Sequence, residues 1–444
     1  MKPGAPLAVF ALGWFLLGAA GFFSDTVSFV WLLAALIVFP IAALDGLFLF
    51  FLSDRLSVKR DIPSSLAQGE SVTVKLEVRR NSRGFFPYRI LIWDLHPSAM
   101  ECDAFPAALD RKLLAGGEHS QPLFFEYSIR PRERGQWFFH GAELLLSSPC
   151  RFWRLKVFHS CESSGRTYPD FRKIKSAAGT DLRGLLERTG ARNVRMRGQG
   201  LEFRNLRDYK DGDSIRAIDW RATSRRNKVI IREYQEEQDQ QLLFLLDTGF
   251  RLNRPEESGR TQFDSALEAV LLLSWVSLKY GDSVAVGSFG SSARWLAPRK
   301  GISSFPVLMN GLYDLAATPS PSSPFSALED ALTRLKRRTF IVLISNFREE
   351  DAESLSWILK RIEQRHLLLL VSLREKESEF LASRQPEDAE EALESAAAFS
   401  YLKSRRDLYT SWEHSGILTL ESTAGELAPS LINRYLQVKR SGRL

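Results

Sequence analysis

The sequence predicts an α/β domain built on a doubly wound parallel sheet, preceded by an all-β sandwich and, at the N-terminus, by a two-helix transmembrane hairpin. Three observations carry this. Two long apolar runs fill most of the first 54 residues, short alternating segments continue to about residue 168, and continuous apolar runs alternate with helical periodicity from Gln241 onward. A chain of 444 residues accommodates two or three domains, and at 44% hydrophobic and 25% charged most of it is globular. The boundaries read 1–54, 55–168, 169–240 and 241–444, the third being a basic segment that leads into the α/β domain.

The hairpin rests on length. Ala5 to Phe23 is uncharged and apolar, Ser24 to Thr26 break it, and a second run extends from Val27 to Leu52 with only Pro40, Asp45 and Gly46 interrupting. A spanning helix needs about 20 apolar residues, so helices are expected over roughly 5–23 and 27–49. A cleaved signal peptide would be shorter and would leave the second run unexplained. Lys2 precedes the first run, Arg55, Lys59 and Arg60 follow the second, and the turn carries only Asp25. Both ends are therefore expected in the cytoplasm. Asp45 is expected at headgroup level, not as a working intramembrane carboxylate. Gly13, Gly18 and Gly21 would let the two helices approach closely.

The sandwich rests on period-two patterning. SVTVKLEVRR sets Val72, Val74, Leu76 and Val78 on one face and Thr73, Lys75, Glu77 and Arg79 on the other. RILIWDL, LFFEYSI, GQWFFHG and AELLLSS follow, separated by turn residues. The cysteines Cys102, Cys150 and Cys161 are odd in number and form no CxxC pair, which favours a reducing compartment over a disulfide scaffold or zinc site.

The basic segment is the densest feature of the chain. From Gly165 to Tyr234 there are eighteen Lys and Arg against nine Asp and Glu, an excess greater than the whole-chain net charge of +7. Such a block favours an acidic partner or an anionic membrane surface. Within it, Asp213 or Ser214 is expected to cap a short helix carrying Ile215, Ile218 and Ala222 on one side, and VIIREY reads as a strand. Its mixture of Asp and Arg suits either an ion-pair network that docks the segment or a partner-binding face with Tyr209 and Trp220 as anchors. The candidate contact residues are Glu202, Arg207, Tyr209, Asp213, Arg216, Asp219, Trp220, Arg221, Arg225, Arg232 and Glu233.

In the α/β region, LLFLLD, SVAVGSFG, TFIVLISNF, HLLLLVSL and GILTLES read as five buried parallel strands. Helices are expected over Phe263 to Tyr280, Ile302 to Ala316, Ala327 to Lys336, Asp351 to Gln364, Glu387 to Trp412 and Ala424 to Lys439. Sites in such sheets lie at the C-terminal strand ends, here Asp247, Ser288 to Gly290, Asn346 and Arg374. There is no phosphate loop, no GxSxG elbow and no HExxH motif, the GxG at Gly198 lacks its third glycine, and the six histidines share no ligand spacing. His366 reads as structural, and no enzymatic constellation is visible.

The stretch GLEFRNLRDYKDGDSIRAIDWRATSRRNKVIIREYQEE, together with the ending GILTLES…LINRYLQVKR, resembles the bacterial membrane family called domain of unknown function 58. The resemblance implies a helix hairpin, a β-sandwich and a von Willebrand factor A-like domain in the bacterial inner membrane. It also implies a MoxR-type AAA+ ATPase as companion. An A-like domain normally carries a metal-ion-dependent adhesion site, in which Mg²⁺ takes about six oxygen ligands. Only Asp247 keeps its carboxylate. Gly249 and Arg251 stand where two serines are expected and Asn346 where an acid is expected, with Ser322 or Ser323 as a substitute hydroxyl. No cofactor is therefore expected, and Arg251 is expected to take the ion's place and pair with Asp247. The resulting expectation is a membrane-anchored, non-enzymatic adaptor that binds protein clients and the ATPase. The alternatives are a metal-dependent adhesion module and a nucleic-acid binder, the latter without a recognisable motif.

Overall fold

The computed structural model describes residues 1–444 apart from 24, 54–55, 81–89, 103, 106, 110–122, 171–201, 211–217, 236–239, 257–258 and 443–444. The chain forms two compact units, Met1–Tyr168 and Pro169–Leu444.

The first unit begins with the short strand β1 (Lys2–Pro3) and two apolar helices, α1 (Ala5–Gly21) and α2 (Asp25–Ser53). Within α2, Asp25–Phe51 has a mean hydropathy of 2.6 and is long and apolar enough to cross a membrane; α1, with 17 residues, is shorter. The helices meet through Trp14 and Trp31, whose rings stack with centroids 4.8 Å apart. The Trp14 indole also donates to the Trp31 carbonyl at 3.2 Å. Gly18 is required at this crossing, because a Cβ there would lie 2.6 Å from Trp31 Nε1. Gly13 faces open space and has no such role.

Two sheets follow, built from β2 (Leu56–Asp61), β3 (Ser65–Ala67), β4 (Val72–Arg80), β5 (Ile90–Asp94), β6 (Met100–Glu101), β7 (Ala107–Leu109), β8 (Leu123–Pro131), β9 (Gly135–Ser147) and β10 (Trp153–Tyr168). One sheet runs β1-β10-β9-β5-β7 with β3 parallel to β10, and the other runs β2-β4-β8-β6. The predicted alternation is realised: Val74, Leu76 and Val78 enter a core shared with Ile90, Ile92, Leu144 and Leu146 of the facing sheet. A buried ion pair joins the sheets. Arg60 on β2 pairs with Asp94 on β5, and Tyr127 on β8 donates to the same carboxylate. Arg60 also donates to Cys161 O at 2.5 Å and lies 4.4 Å from the Phe139 ring centre.

Asp45 lies near the foot of α2. It is buried against the β domain, where its carboxylate accepts from Ser148 Oγ at 2.5 Å and from Cys150 N at 3.1 Å. Trp153 Nε1 donates to Ala42 O at 2.7 Å, and Leu49 is fully buried in the sandwich core. The last turns of α2 therefore belong to the β domain. Asp25 to Ile41 is left clear of it, about 25 Å at 1.5 Å per residue.

The second unit opens with an antiparallel pair, β11 (Glu202–Asp208) and β12 (Ile230–Gln235), bracketing the helix α3 (Trp220–Arg226). Its sheet comprises β13 (Gln241–Asp247), β14 (Ser283–Phe289), β15 (Arg294–Lys300), β16 (Phe340–Ile344), β17 (Leu367–Leu373) and β18 (Leu418–Ser422). The order is β15-β14-β13-β16-β17-β18, parallel throughout except for β15. Helices α4 (Gln262–Lys279), α5 (Phe305–Leu312), α6 (Pro324–Arg334), α7 (Asp351–Glu363), α8 (Lys376–Ser383), α9 (Ala389–His414) and α10 (Leu427–Arg440) connect and cover the strands. Leu243, Leu245, Ile341 and Leu343 pack under α6, α7 and α9, whereas α4 packs with α10 and lies against β13 and β14.

Three sequence expectations are corrected. The sheet is mixed, because RWLAPRK, too charged to read as a buried strand, forms the antiparallel edge β15, where Pro298 is tolerated. The helix expected over 302–316 is a 3₁₀ turn followed by the short α5. The helix expected from Glu387 begins at Ala389, capped by Asp388, and is preceded by the separate helix α8. Strand order reverses between β13 and β16, so the crevice that an α/β sheet offers to ligands opens at Asp247 and at Ser345–Asn346.

Candidate functional site

Asp247 closes β13 with no exposed surface. Its two oxygens are taken: one accepts from Gly249 N at 2.8 Å and the other from Ser345 Oγ at 2.5 Å. Gly249 offers no hydroxyl, and a Cβ there would lie 2.6 Å from Ser322 Oγ, so a serine cannot be accommodated without moving that loop. Ser323, the other candidate hydroxyl, caps α6 by accepting from Ser326 N at 3.3 Å. Asn346 is a strut. Its Nδ2 donates to Gln262 Oε1 at 2.8 Å and Arg251 O at 3.2 Å, while its Oδ1 accepts from Leu373 N at 3.0 Å and Ser372 Oγ at 3.1 Å. It therefore cross-links the ends of β16 and β17 to the start of α4. These donors do not fit a hard divalent ion, which needs several free oxygens. Among the described residues no cluster of three or more His, Cys, Asp or Glu is placed to hold a metal.

Arg251 does not pair with Asp247. Its guanidinium forms a two-pronged bond to Asp351, the first residue of α7, at 2.5 and 2.9 Å, and Nη1 reaches Asn346 O at 3.2 Å. Arg251 and Asp351 are 8% and 7% exposed. Burial alone would depress the guanidinium, but the Asp351 hydrogen bonds and charge outweigh it and hold its pKa above the ordinary arginine value. The Asp351 carboxylate meets the planar fork with both oxygens while its Oδ2 also accepts from Arg348 N at 2.9 Å, whereas the Asp247 oxygens accept from Gly249 N and Ser345 Oγ. Asp247 contributes only at longer range.

The network continues along the sheet edge. Arg405, buried on α9, donates to Ser372 Oγ at 2.7 Å, Leu373 O at 2.9 Å and Glu421 Oε1 at 3.0 Å. Arg254 meets Glu375 at 2.5 Å. Gln262, Ser345, Asp351, Ser372 and Arg405 belong to this edge and were not singled out from sequence. For four of them the only sequence signal is position, at a strand end or in the first turn of a helix; Arg405 lies in the middle of α9 and has none.

The basic segment is arranged differently. Arg207 pairs in register with Ile231 and Asp208 with Ile230, and Tyr209 N donates to Val229 O at 2.9 Å. Glu202, Arg232 and Glu233 take their places on this ladder through the backbone. Asp213 and Arg216 lie outside the described residues, as do the side chains of Glu202, Arg232 and Glu233. The cap of α3 is Asp219, whose carboxylate accepts from Arg221 N and Ala222 N, both at 3.0 Å; the cap expected at Asp213 or Ser214 lies outside the described residues. Ile218 bridges to Ile231, and Thr223 Oγ1 accepts from Ile230 N at 3.0 Å, so α3 is tied to β12. Trp220 is 68% exposed, and Arg221, Arg225 and Lys228 are exposed as well. The structure thus gathers Asp219, Trp220, Arg221 and Arg225 on one short helix.

Residues 205–401 match one family model, Protein of unknown function DUF58. The matched stretch covers β13 to β17, most of the β11–α3–β12 module and the first half of α9. No curated protein matches the chain. Among solved structures, the chain is similar to an aerotolerance-related membrane protein from Bacteroides fragilis, at 13% identity over 45% of this chain and 98% of that one, TM-score 0.27. It is also similar to a cohesin module of a Clostridium perfringens family 33 glycoside hydrolase, at 9% identity over 26% and 95%, TM-score 0.16. A third is an uncharacterized membrane-spanning protein from Vibrio fischeri, at 12% identity over 31% and 71%, TM-score 0.17. At these TM-scores the likenesses carry no argument.

Proposed function

We propose that the protein is a membrane-anchored, non-enzymatic adaptor. Its α/β unit, of von Willebrand factor A-like type, binds a protein partner through the α3 surface, and a MoxR-type AAA+ ATPase is the partner that the family resemblance implies. The observation that carries this reading is the exposed Trp220 on a capped, strand-pinned helix that also exposes Arg221 and Arg225. Large aromatics flanked by arginine are the residues that dominate binding energy at interfaces, and a rigid support lowers the ordering cost. The strand order β15-β14-β13-β16-β17-β18 with one antiparallel edge supports the A-like reading. The committed oxygens around Asp247 favour binding by contact over binding through a metal.

The anchor is read as two spans with both ends cytoplasmic. Gly4 N donates to Phe152 O at 2.7 Å, and Trp153 Nε1 to Ala42 O at 2.7 Å, so both feet of the hairpin return to the same end of the β domain. The test is capture of a purified MoxR-type ATPase by the full-length protein in nanodiscs. Trp220→Ala and Arg221→Glu are each expected to weaken capture at least tenfold with an unchanged unfolding midpoint. Undiminished capture by both variants would remove α3 from the interface, and no capture by the wild type would remove the ATPase.

A further inference from the structure

The foot of the hairpin carries a second set of cations with a different setting. Lys2 on β1 lies directly opposite Arg154 on β10 in antiparallel register. Opposed Cβ atoms in such a pair are about 4.5–5.5 Å apart, and like charges there repel. Arg151 stands in the adjoining turn with φ 61, a left-handed conformation that only a few side chains adopt. All three are exposed, and none takes part in an ion pair among the described residues. Buried Asp45 accepts from Ser148 Oγ and Cys150 N and forms no ion pair with these cations among the described residues. Neighbouring Lys156 is already matched by Glu143 at 2.7 Å.

The frame beneath these cations is stiff. Gly4 N is bonded to Phe152 O, Arg151 N donates to Ser148 O at 2.9 Å, and Trp153 is fastened to Ala42. A Cβ on Gly4 would lie 2.0 Å from Arg151 O, so the first turn of α1 and the β9–β10 turn touch backbone to backbone. Three cations are thus gathered where the apolar helices α1 and α2 meet the β domain, the level at which a spanning hairpin meets lipid headgroups. A phosphate with two free oxygens, set between Lys2 and Arg154, would relieve their repulsion, and Arg151 supplies further donors. We propose that Lys2, Arg151 and Arg154 form a headgroup-phosphate site for an anionic phospholipid. The site rests on the membrane-anchor reading and adds a specific ligand to it.

The experiment is native mass spectrometry of the full chain released from nanodiscs containing phosphatidylglycerol, or phosphatidylcholine alone. The wild type is expected to retain phosphatidylglycerol and not phosphatidylcholine. The triple variant Lys2→Gln, Arg151→Gln, Arg154→Gln should lose retention by about a hundredfold, since each cation near an anionic surface contributes roughly fivefold. Arg154→Lys should keep it. A control removing three exposed cations elsewhere, Arg299→Gln, Lys336→Gln and Arg337→Gln, should also keep it. Equal retention by the triple variant, or equal loss in the control, would overturn the site, because the attraction would then be diffuse. Displacement of the lipid by millimolar inorganic phosphate would identify free phosphate as the ligand and overturn the lipid assignment. Membrane fractionation separates the two readings: a triple variant that stays in the membrane but loses lipid leaves the anchor intact, whereas a wild type in the soluble fraction overturns the anchor.

Discussion

The second unit holds two arginine-rich regions that look alike as text and differ in what they do. At the C-terminal sheet edge, Arg251 and Arg405 are buried and each donates to several named acceptors. On α3, Arg221 and Arg225 are exposed, as is Trp220. In the first region charge is consumed internally and serves rigidity. In the second it stays at the surface, where the proposed partner would meet it. Burial, not residue type, separates scaffold from contact surface.

The sharpest way to break that distinction is to delete one arginine from each region. Arg251→Ala leaves Asp351 buried and unpaired, which should cost about 3–5 kcal/mol. Arg225→Ala, on the exposed helix, should change stability by less than about 0.5 kcal/mol. Denaturant unfolding of the detergent-solubilised full chain measures both, and equal effects would erase the contrast. Next in size is Asp247→Ala, which orphans Ser345 Oγ and Gly249 N and should cost about 1–3 kcal/mol. Isothermal titration with Mg²⁺ bears on the same residue. Micromolar binding that disappears in Asp247→Ala would restore a metal role and contradict the geometry.

Smaller effects divide α3 itself. Asp219→Ala removes the helix cap and should cost about 1 kcal/mol while also weakening partner capture. Trp220→Ala should leave stability within about 0.5 kcal/mol and lose capture alone. If Trp220→Ala destabilised the fold as much as the cap variant, the side chain would be packing and not presenting a surface.

Much of the architecture was legible because continuous apolar runs such as LLFLLD and HLLLLVSL have few folded fates other than a buried strand. The edge strand β15 was not, since Arg294, Arg299 and Lys300 mask a role that depends only on lying beside β14. Asp45 was readable as a boundary acid, but its partners Ser148 and Cys150 are about a hundred residues away and leave no local trace. The same holds for Arg251, whose carboxylate partner Asp351 lies a hundred residues further along the chain. The cap expected at Asp213 or Ser214 lies outside the described residues, and for α3 Asp219 is as good a cap by type. The bridge from Ile218 to Ile231 holds the chain extended just before Asp219 and so selects it.

The smallest expected effect lies at the opposite end of the sheet, at His366. Burial first, then the charges of Arg365 and Arg338, depress its imidazole below the ordinary histidine value. It is buried at the start of β17, and its Nδ1 has no partner among the described residues. In the unfolded chain the ring titrates near about 6.5, so the unfolded state binds the proton more readily. The contribution is therefore fully present above that pH and is lost as pH falls through the lower folded value. Between pH 7 and 5 the wild-type unfolding midpoint should fall. His366→Phe, which fills a similar volume without titrating, should fall less. His159, also depressed by burial, would leave a residual slope of the same sign. Identical slopes in the two proteins would mean that His366 gains its proton as easily folded as unfolded, and that this end of the sheet is wetter than its packing implies.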